Sequence, residues 1–70
     1  MLLRLDNRAS ADDLVRFFAA HDYVVERRGD TLVDVRPASA LGEPADRERL
    51  VRDLEAWQAW NEGAEVEVED

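Results

Sequence analysis

Hydrophobic residues recur along this chain with two different periods, and the change of period marks the predicted elements. Leu3 and Leu5 alternate with their neighbours, which predicts a short strand at the start. Ser10 is followed three residues later by an aspartate, a variant of the capping box that opens a helix. We expect that helix to begin at Ser10 and to end near His21 or Asp22.

The next segment is rich in β-branched residues on both sides of a glycine, which predicts a hairpin of residues 23–27 and 31–36. A two-residue turn would set Val25 opposite Asp34. A three-residue loop of residues 28–30 would instead set Val25 opposite Val33 and Tyr23 opposite Val35. Because a slip of one residue moves every side chain to the other face, we choose the three-residue loop.

The longest helical pattern covers residues 46–61 and contains both tryptophans. Leu50, Leu54 and Trp57 recur at the spacing of one helical face, so this face is predicted to cover a sheet. Trp60 lies about 80° away from Trp57 at about 100° per residue, and we expect it to be half exposed.

Two further residues are predicted to bound this helix. Pro44 suits its first turn, where the missing N–H costs nothing, and Gly63 suits the left-handed position after its end. Strict alternation in residues 64–70 then predicts a last strand, with Val66 and Val68 facing inward.

The predicted order is β-α-β-β-α-β, for which the simplest solution is an α+β ferredoxin-like sandwich of residues 1–70 as one domain. Its four-stranded antiparallel sheet would have the order 4-1-3-2, with both helices on one face. The predicted inward residues are Leu3, Leu5, Leu14, Phe17, Phe18, Tyr23, Val25, Val33, Val35, Leu50, Leu54, Trp57, Val66 and Val68.

Three stretches carry a resemblance: the Leu-Arg-Leu opening, the Val-Asp-Val strand, and the Leu-Glu-Ala-Trp-Gln-Ala-Trp-Asn helix with a glycine after it. Together they resemble short uncharacterised bacterial proteins of ferredoxin-like fold. The resemblance spans most of the chain and implies the fold, but it carries over no functional residue. ACT-type regulatory domains share the element order, although Asp6-Asn7-Arg8 stands where many of them have a glycine.

Composition narrows the classes of function. The formal net charge of −8 disfavours direct binding to nucleic acid, because such binding depends on clustered Lys and Arg. The chain has no cysteine, which excludes disulfides and thiolate metal sites. We find no signal-peptide pattern and no apolar run of about 20 residues, so a soluble, cytoplasmic protein without membrane contact is expected.

The residues that could take part in catalysis or metal binding do not form a recognisable motif. His21 is the only histidine, and its predicted place on the inward face at a helix end favours a core-edge or capping role. Ser10 is explained as a helix cap, and Ser39 has no identified partner. We therefore predict a protein that is not an enzyme, with no catalytic, cofactor-binding or metal-binding residues, while any small-molecule ligand stays unknown.

The strand residues that face away from the helices mix charged and apolar side chains. Arg4 is expected to reach Asp34 on one side and Glu65 or Glu67 on the other. One interpretation is a solvated ladder of charges; the other is a modest surface for self-association or for a partner. The candidate partner surface consists of Leu2, Arg4, Val24, Leu32, Asp34 and, as an aromatic anchor beside the segment 37–44, Trp60.

Two hypotheses of function follow. The first is a non-enzymatic interaction or regulatory module, with a protein partner or a homodimer formed through the open sheet face or a strand edge. The alternative is an acidic decoy, for example a phage-encoded inhibitor, that binds a basic, nucleic-acid-binding partner. The carboxylates that motivate this alternative are Glu26, Asp34, Glu65, Glu67, Glu69 and Asp70.

Overall fold

Four strands and two helices follow one another as β-α-β-β-α-β in the computed structural model, which describes residues 1–38 and 44–69. The elements are β1 (Leu2–Leu5), α1 (Arg8–Ala19), β2 (Tyr23–Arg27), β3 (Leu32–Pro37), α2 (Pro44–Trp60) and β4 (Val66–Val68). Neighbouring strands all pair antiparallel in the spatial order β2-β3-β1-β4, which is 4-1-3-2 when counted from the other edge. The predicted α+β ferredoxin-like fold is confirmed.

One hydrophobic core joins the inward strand residues to both helices, so the two helices cover the same face of the sheet. The buried residues are Leu3, Leu5, Ala11, Leu14, Phe18, Tyr23, Val33, Val35, Leu50, Leu54 and Trp57. Only Ala11 was not predicted. Phe17, Val25 and Val66 are half-buried against this core. Val68 lies opposite the buried Leu3 and so shares the inward face, as predicted, but it is 45% exposed because it ends an edge strand that has a neighbour on one side only among the described residues.

The first helix begins earlier than predicted. Asn7, in extended conformation, is the N-cap, and its side-chain oxygen accepts a hydrogen bond of 2.8 Å from the backbone N–H of Ser10. Ser10 therefore lies inside the first turn and is not the cap. The helix ends at Ala19, and Asp22, with a φ of +66°, leads the chain into β2.

The hairpin of β2 and β3 has a register two residues away from the predicted one. Val25 lies opposite Val35, and Tyr23 lies opposite Pro37. The backbone N–H groups of Arg28 and Gly29 both donate to the carbonyl oxygen of Leu32, so the three-residue loop is 29–31 and not 28–30. Because the slip is an even number of residues, the inward side chains stay inward.

The second helix is bounded largely as predicted. It begins at Pro44 and ends at Trp60, and Gly63 follows with a φ of +87° in the left-handed region, as expected. Neither helix in the described part of the chain has the length and apolar character needed to cross a membrane.

Candidate interaction surface

Alternate strand residues point away from the helices and form what we call the outer sheet face. Strand pairing arranges them in rows across the sheet. The rows are Val24 and Arg36; Glu26, Asp34, Leu2 and Glu69; and Arg28, Leu32, Arg4 and Glu67. The middle row is mainly acidic, whereas its neighbour carries two arginines. The surface therefore alternates in charge from one row to the next.

Two acidic side chains lie directly opposite each other in this face, which is unfavourable unless a cation separates them. Glu26 pairs with Asp34 in the register, and Arg28 bridges them at 3.6 Å and 3.3 Å. The amino group of Met1 also approaches Asp34, at 3.5 Å. Although burial acts to raise it, the pKa of Asp34 lies below its usual range because of the hydrogen bonds and charges of Arg28 and the amino group.

The predicted contacts of Arg4 are not the ones that form. Its Nε donates to Oε1 of Glu69 at 2.8 Å, and this hydrogen bond, followed by the charge of Glu69, raises the pKa of the guanidinium. The expected contact with Asp34 is wrong because Arg4 lies opposite Leu32, one row away. Glu67 lies opposite Arg4 as the prediction required, yet the salt bridge goes to the next glutamate along the strand direction.

Apolar side chains are dispersed within the outer sheet face. Leu2 and Leu32 are half-buried diagonal neighbours on adjacent strands, whereas Val24 is 41% exposed and lies in another row beside Arg36. The five residues of the predicted surface that belong to the sheet do share one face. They do not form a continuous hydrophobic patch.

Trp60 lies in the helical layer, away from the outer sheet face. It is 86% exposed instead of half exposed, whereas Trp57 is 1% exposed and donates from its indole N–H to Asp13 at 3.1 Å. Of the segment 37–44 that was expected to accompany Trp60, residues 39–43 lie outside the described residues. The groove beside Trp60 is lined by Asp13, Arg16, Phe17, Trp57 and Asn61.

His21 occupies an exposed position at the end of α1, so the expectation that it lies on the inward face is wrong. Its ring stacks on that of Phe17 at a centroid distance of 4.2 Å, and its Nδ1 lies 2.6 Å from the carbonyl oxygen of Phe17. This contact satisfies one of the last carbonyl groups of the helix, as a capping side chain does. Among residues 1–38 and 44–69, no cluster of His, Asp or Glu has a geometry suited to holding a metal ion.

Tyr23 connects the sheet to α2 through a buried hydroxyl group. The hydroxyl donates to Oδ2 of Asp53 at 2.6 Å, and the guanidinium carbon of Arg49 lies 5.0 Å from the ring centroid. Burial, followed by the hydrogen bond to Asp53, raises the pKa of Tyr23 to about 12. This contact fixes the position of α2 over the sheet and has no visible ligand role.

The outer edge of β4 is one of the strand edges that the first hypothesis allows for, and its backbone hydrogen bonds show which groups it leaves open. The N–H of Glu69 donates to the carbonyl oxygen of Leu2 at 2.8 Å, which defines one hydrogen-bonded pair between β1 and β4. Hydrogen-bonded pairs alternate in an antiparallel ladder, so Glu67 is the next residue to bond β1. The N–H and C=O groups of Val66 and Val68 therefore point away from the sheet. We call these groups, with the side chain of Glu67, the β4 edge.

Comparison of the chain with protein-family models, with curated proteins and with solved structures gives no match. The class is thus defined by architecture: a small α+β domain of ferredoxin-like form with a charged outer sheet face and an open edge strand. Any function has to be argued from those surfaces.

Proposed function

We propose that the protein is a non-enzymatic interaction module that associates with a second copy through the outer sheet face. The observation that carries this proposal is the alternation of charge between adjacent rows. A twofold axis between the rows would place Glu26 of one copy opposite Arg28 of the other and Asp34 diagonally beside Arg28 and Arg4, which would extend the salt bridges that these side chains already form within each chain. Leu2 of one copy would then lie diagonally beside Leu32 of the other. A self-complementary patch of this kind is what a twofold contact requires.

The size of the face sets the strength of this association. Four strands spaced about 4.8 Å apart, with about four to five residues in each at about 3.3 Å per residue, span roughly 250 to 300 Å² of sheet. A stable specific interface needs about 800 Å² from each partner. Since the outer sheet face falls short of this area and its apolar residues are dispersed, we expect a weak dimer with a micromolar to millimolar dissociation constant.

The acidic decoy is the second candidate, and the open β4 edge is the observation that favours it. Glu26, Asp34 and Glu69 already form salt bridges within the chain. Glu65 and Glu67 make no salt bridge among the described residues, and Asp70 lies outside them. A decoy would therefore present carboxylates at the β4 edge and not across the whole face.

Sedimentation over a range of about 1 μM to 1 mM tests the proposed dimer, at about 0.15 M salt so that the repulsion between the acidic copies is screened. We expect the mean mass to rise with concentration. The change Arg4→Glu should abolish the rise, because it makes two adjacent rows acidic. The matched control is Arg52→Glu, which alters the net charge equally on an exposed position of α2.

Circular dichroism establishes that both variants are folded. If Arg4→Glu is too unstable, Arg4→Gln with Arg52→Gln as its control provides the same comparison. A wild-type chain that stays monomeric throughout the range contradicts the proposed self-association. Equal weakening by the two arginine changes would instead assign the effect to net charge and contradict the assignment to this face.

A further inference from the structure

The two edges of the sheet differ in what surrounds them. At the β2 edge, the side chain of Arg27 pairs with Asp12 of α1 and donates to the carbonyl groups of Gly29 and Asp30. A charged side chain tied to the helix and to the turn thus lies at the end of that strand. Within the described residues, no strand follows β4 on its outer side, and its exposed Val68 adjoins the backbone groups that point outward. The β4 edge differs from the β2 edge in carrying two exposed glutamates, Glu65 and Glu67, that form no salt bridge among the described residues.

An open edge strand can extend the sheet by pairing with another strand, and a second β4 is the first candidate to consider. The sequence of β4 is Val-Glu-Val, continued by glutamates on both sides. Any pairing of two β4 strands that keeps the valines on the helical side places glutamates beside glutamates. Like charges on adjacent strands are destabilising, so the β4 edge opposes its own copy.

We propose that the β4 edge binds an extended segment of a protein partner in which basic and apolar residues alternate. This inference rests on the proposed role as an interaction module and names a second surface and its partner chemistry. The backbone of the segment would pair with the free N–H and C=O groups of Val66 and Val68, as in recognition by β-strand addition. Main-chain hydrogen bonds would supply most of the affinity.

The alternation in the partner follows from the alternation in β4. On the outer side, Glu67 and its neighbour Glu65 make no salt bridge among the described residues, so a lysine or arginine beside them gains an opposite charge. On the helical side, the next residue of the segment would cover Val68, which is 45% exposed. A segment with the reverse order of faces would bury its cations beside the valines. The segment can therefore pair in only one orientation, with its basic residues on the outer side and its apolar residues on the helical side.

Titration with a short peptide in which valine and lysine alternate is the direct test. Binding is followed by the backbone amide signals of Val66 and Val68 in NMR spectra. We expect these signals to shift, and we expect the affinity to fall by about tenfold when salt is raised to about 1 M, where screening extends only about 3 Å. A peptide with valine and glutamate alternating should not bind.

The contribution of backbone pairing is tested without changing the protein. The same valine and lysine peptide, N-methylated at every second amide on the pairing edge, keeps its charge but cannot complete the strand ladder. We expect its binding to fall at least tenfold. If both peptides bind equally, the attraction is only electrostatic and the proposed strand addition is wrong.

Two variants test whether the peptide binds at the β4 edge. Glu67→Gln should weaken binding about threefold, whereas Glu55→Gln, which removes the same charge from an exposed position of α2, should leave it unchanged. Val68→Pro should remove binding while sparing the fold, because the N–H of Val68 points away from β1. If that variant unfolds, the N-methylated peptide still decides the question.

Failure of this inference is distinguishable from failure of the proposed function. Absence of shifts at Val66 and Val68 with the alternating peptide overturns strand addition, even if sedimentation shows a dimer that Arg4→Glu abolishes. Conversely, peptide binding by a chain that remains monomeric at every concentration supports the β4 edge and contradicts association through the outer sheet face.

Discussion

Trp57 is the residue on which the packing of α2 depends most, and truncating it tests the position of the whole helix. Its side chain is 1% exposed and lies among the core residues, while its indole N–H donates to Asp13. A buried tryptophan removes about 150 to 250 Å² from water, which at about 25 cal/mol per Å² corresponds to roughly 4 to 6 kcal/mol. Large-to-small changes at such sites cost about 3 to 5 kcal/mol.

This loss equals the whole stability of a domain of this size, which is about 3 to 5 kcal/mol. We therefore expect Trp57→Ala to be largely unfolded at 25 °C. Trp57→Phe keeps an aromatic ring in the core but loses the hydrogen bond to Asp13, and it should cost about 1 to 2 kcal/mol. Trp60→Ala is the control, and at 86% exposure it should change the free energy of unfolding by less than about 0.5 kcal/mol.

Urea denaturation followed by circular dichroism measures all three variants on one scale. Fluorescence quenching provides an independent check, because the chain has only two tryptophans. Trp60→Phe leaves the buried indole, which acrylamide should quench poorly, and Trp57→Phe leaves the exposed one, which should be quenched readily. Equal losses of stability from Trp57→Ala and Trp60→Ala would refute this orientation of α2.

Three further predictions concern single contacts. Asn7→Ala should cost about 1 kcal/mol in urea denaturation and Ser10→Ala distinctly less, whereas the reverse order would restore Ser10 as the cap. Gly63→Ala should destabilise by about 1 kcal/mol because its φ is positive, while Gly29→Ala, whose added methyl meets only ordinary contacts, should be nearly neutral; equal thermal stabilities would contradict this. Tyr23, the only tyrosine, should titrate by tyrosinate absorbance near pH 12. Since its folded pKa lies above the unfolded value of about 10, its stabilising effect should be complete below about pH 10 and be lost as the pH rises towards 12, and Tyr23→Phe should lack this loss.

The spacing of hydrophobic residues along the chain predicted the fold, because this spacing depends only on the local geometry of strands and helices. Residues two apart in a strand share a face, and residues three or four apart in a helix do so, whatever the rest of the chain does. Leu3 and Leu5, like Leu54 and Trp57, were therefore assigned to the core correctly. Val68 shows the limit of the method, since its alternation is regular but its burial depends on how much structure lies beyond an edge strand.

The hairpin register shows what periodicity does not determine. An even slip preserves every inward side chain, so Val25 opposite Val33 and Val25 opposite Val35 satisfy the same pattern. The choice depends on which backbone groups close the loop. In the structure, Arg28 and Gly29 share the carbonyl oxygen of Leu32. The consequence extends to the outer sheet face, because the observed register sets Glu26 opposite Asp34 and so determines where Arg28 is needed.

The helix start was misplaced for a related reason. Asn7 and Ser10 are both favourable N-cap residues, and Ser10 has the acidic residue three positions later that usually supports the choice. The cap, however, has to lie where the chain leaves the strand and turns. Since β1 ends at Leu5, Asn7 is reached first, and its extended backbone makes the turn.

The candidate surface was predictable as a set of side chains but not as a set of contacts. Alternation placed Leu2, Arg4, Val24, Leu32 and Asp34 on one face correctly, because it needed only the period of a strand. The direction of the backbone groups of an edge strand depends on which pairs of the ladder are hydrogen-bonded, and nothing in the composition of β4 determines that. In the structure, the hydrogen bond from the N–H of Glu69 to the carbonyl oxygen of Leu2 shows that the backbone groups of Val66 and Val68 point outward.

The same glutamates that make β4 unattractive to its own copy give it a preference for a basic strand, and these two effects have one physical cause. An acidic side chain of the partner next to Glu67 is repelled, and a basic one is attracted. The backbone hydrogen bonds between the two strands are the same in both cases. A proline or a bulge on an edge strand hinders pairing with any partner, whereas a charged side chain hinders pairing chiefly with a strand of like charge. Val-Glu-Val contains neither a proline nor a bulge, so its backbone remains competent to pair and the charge of the partner biases whether it does.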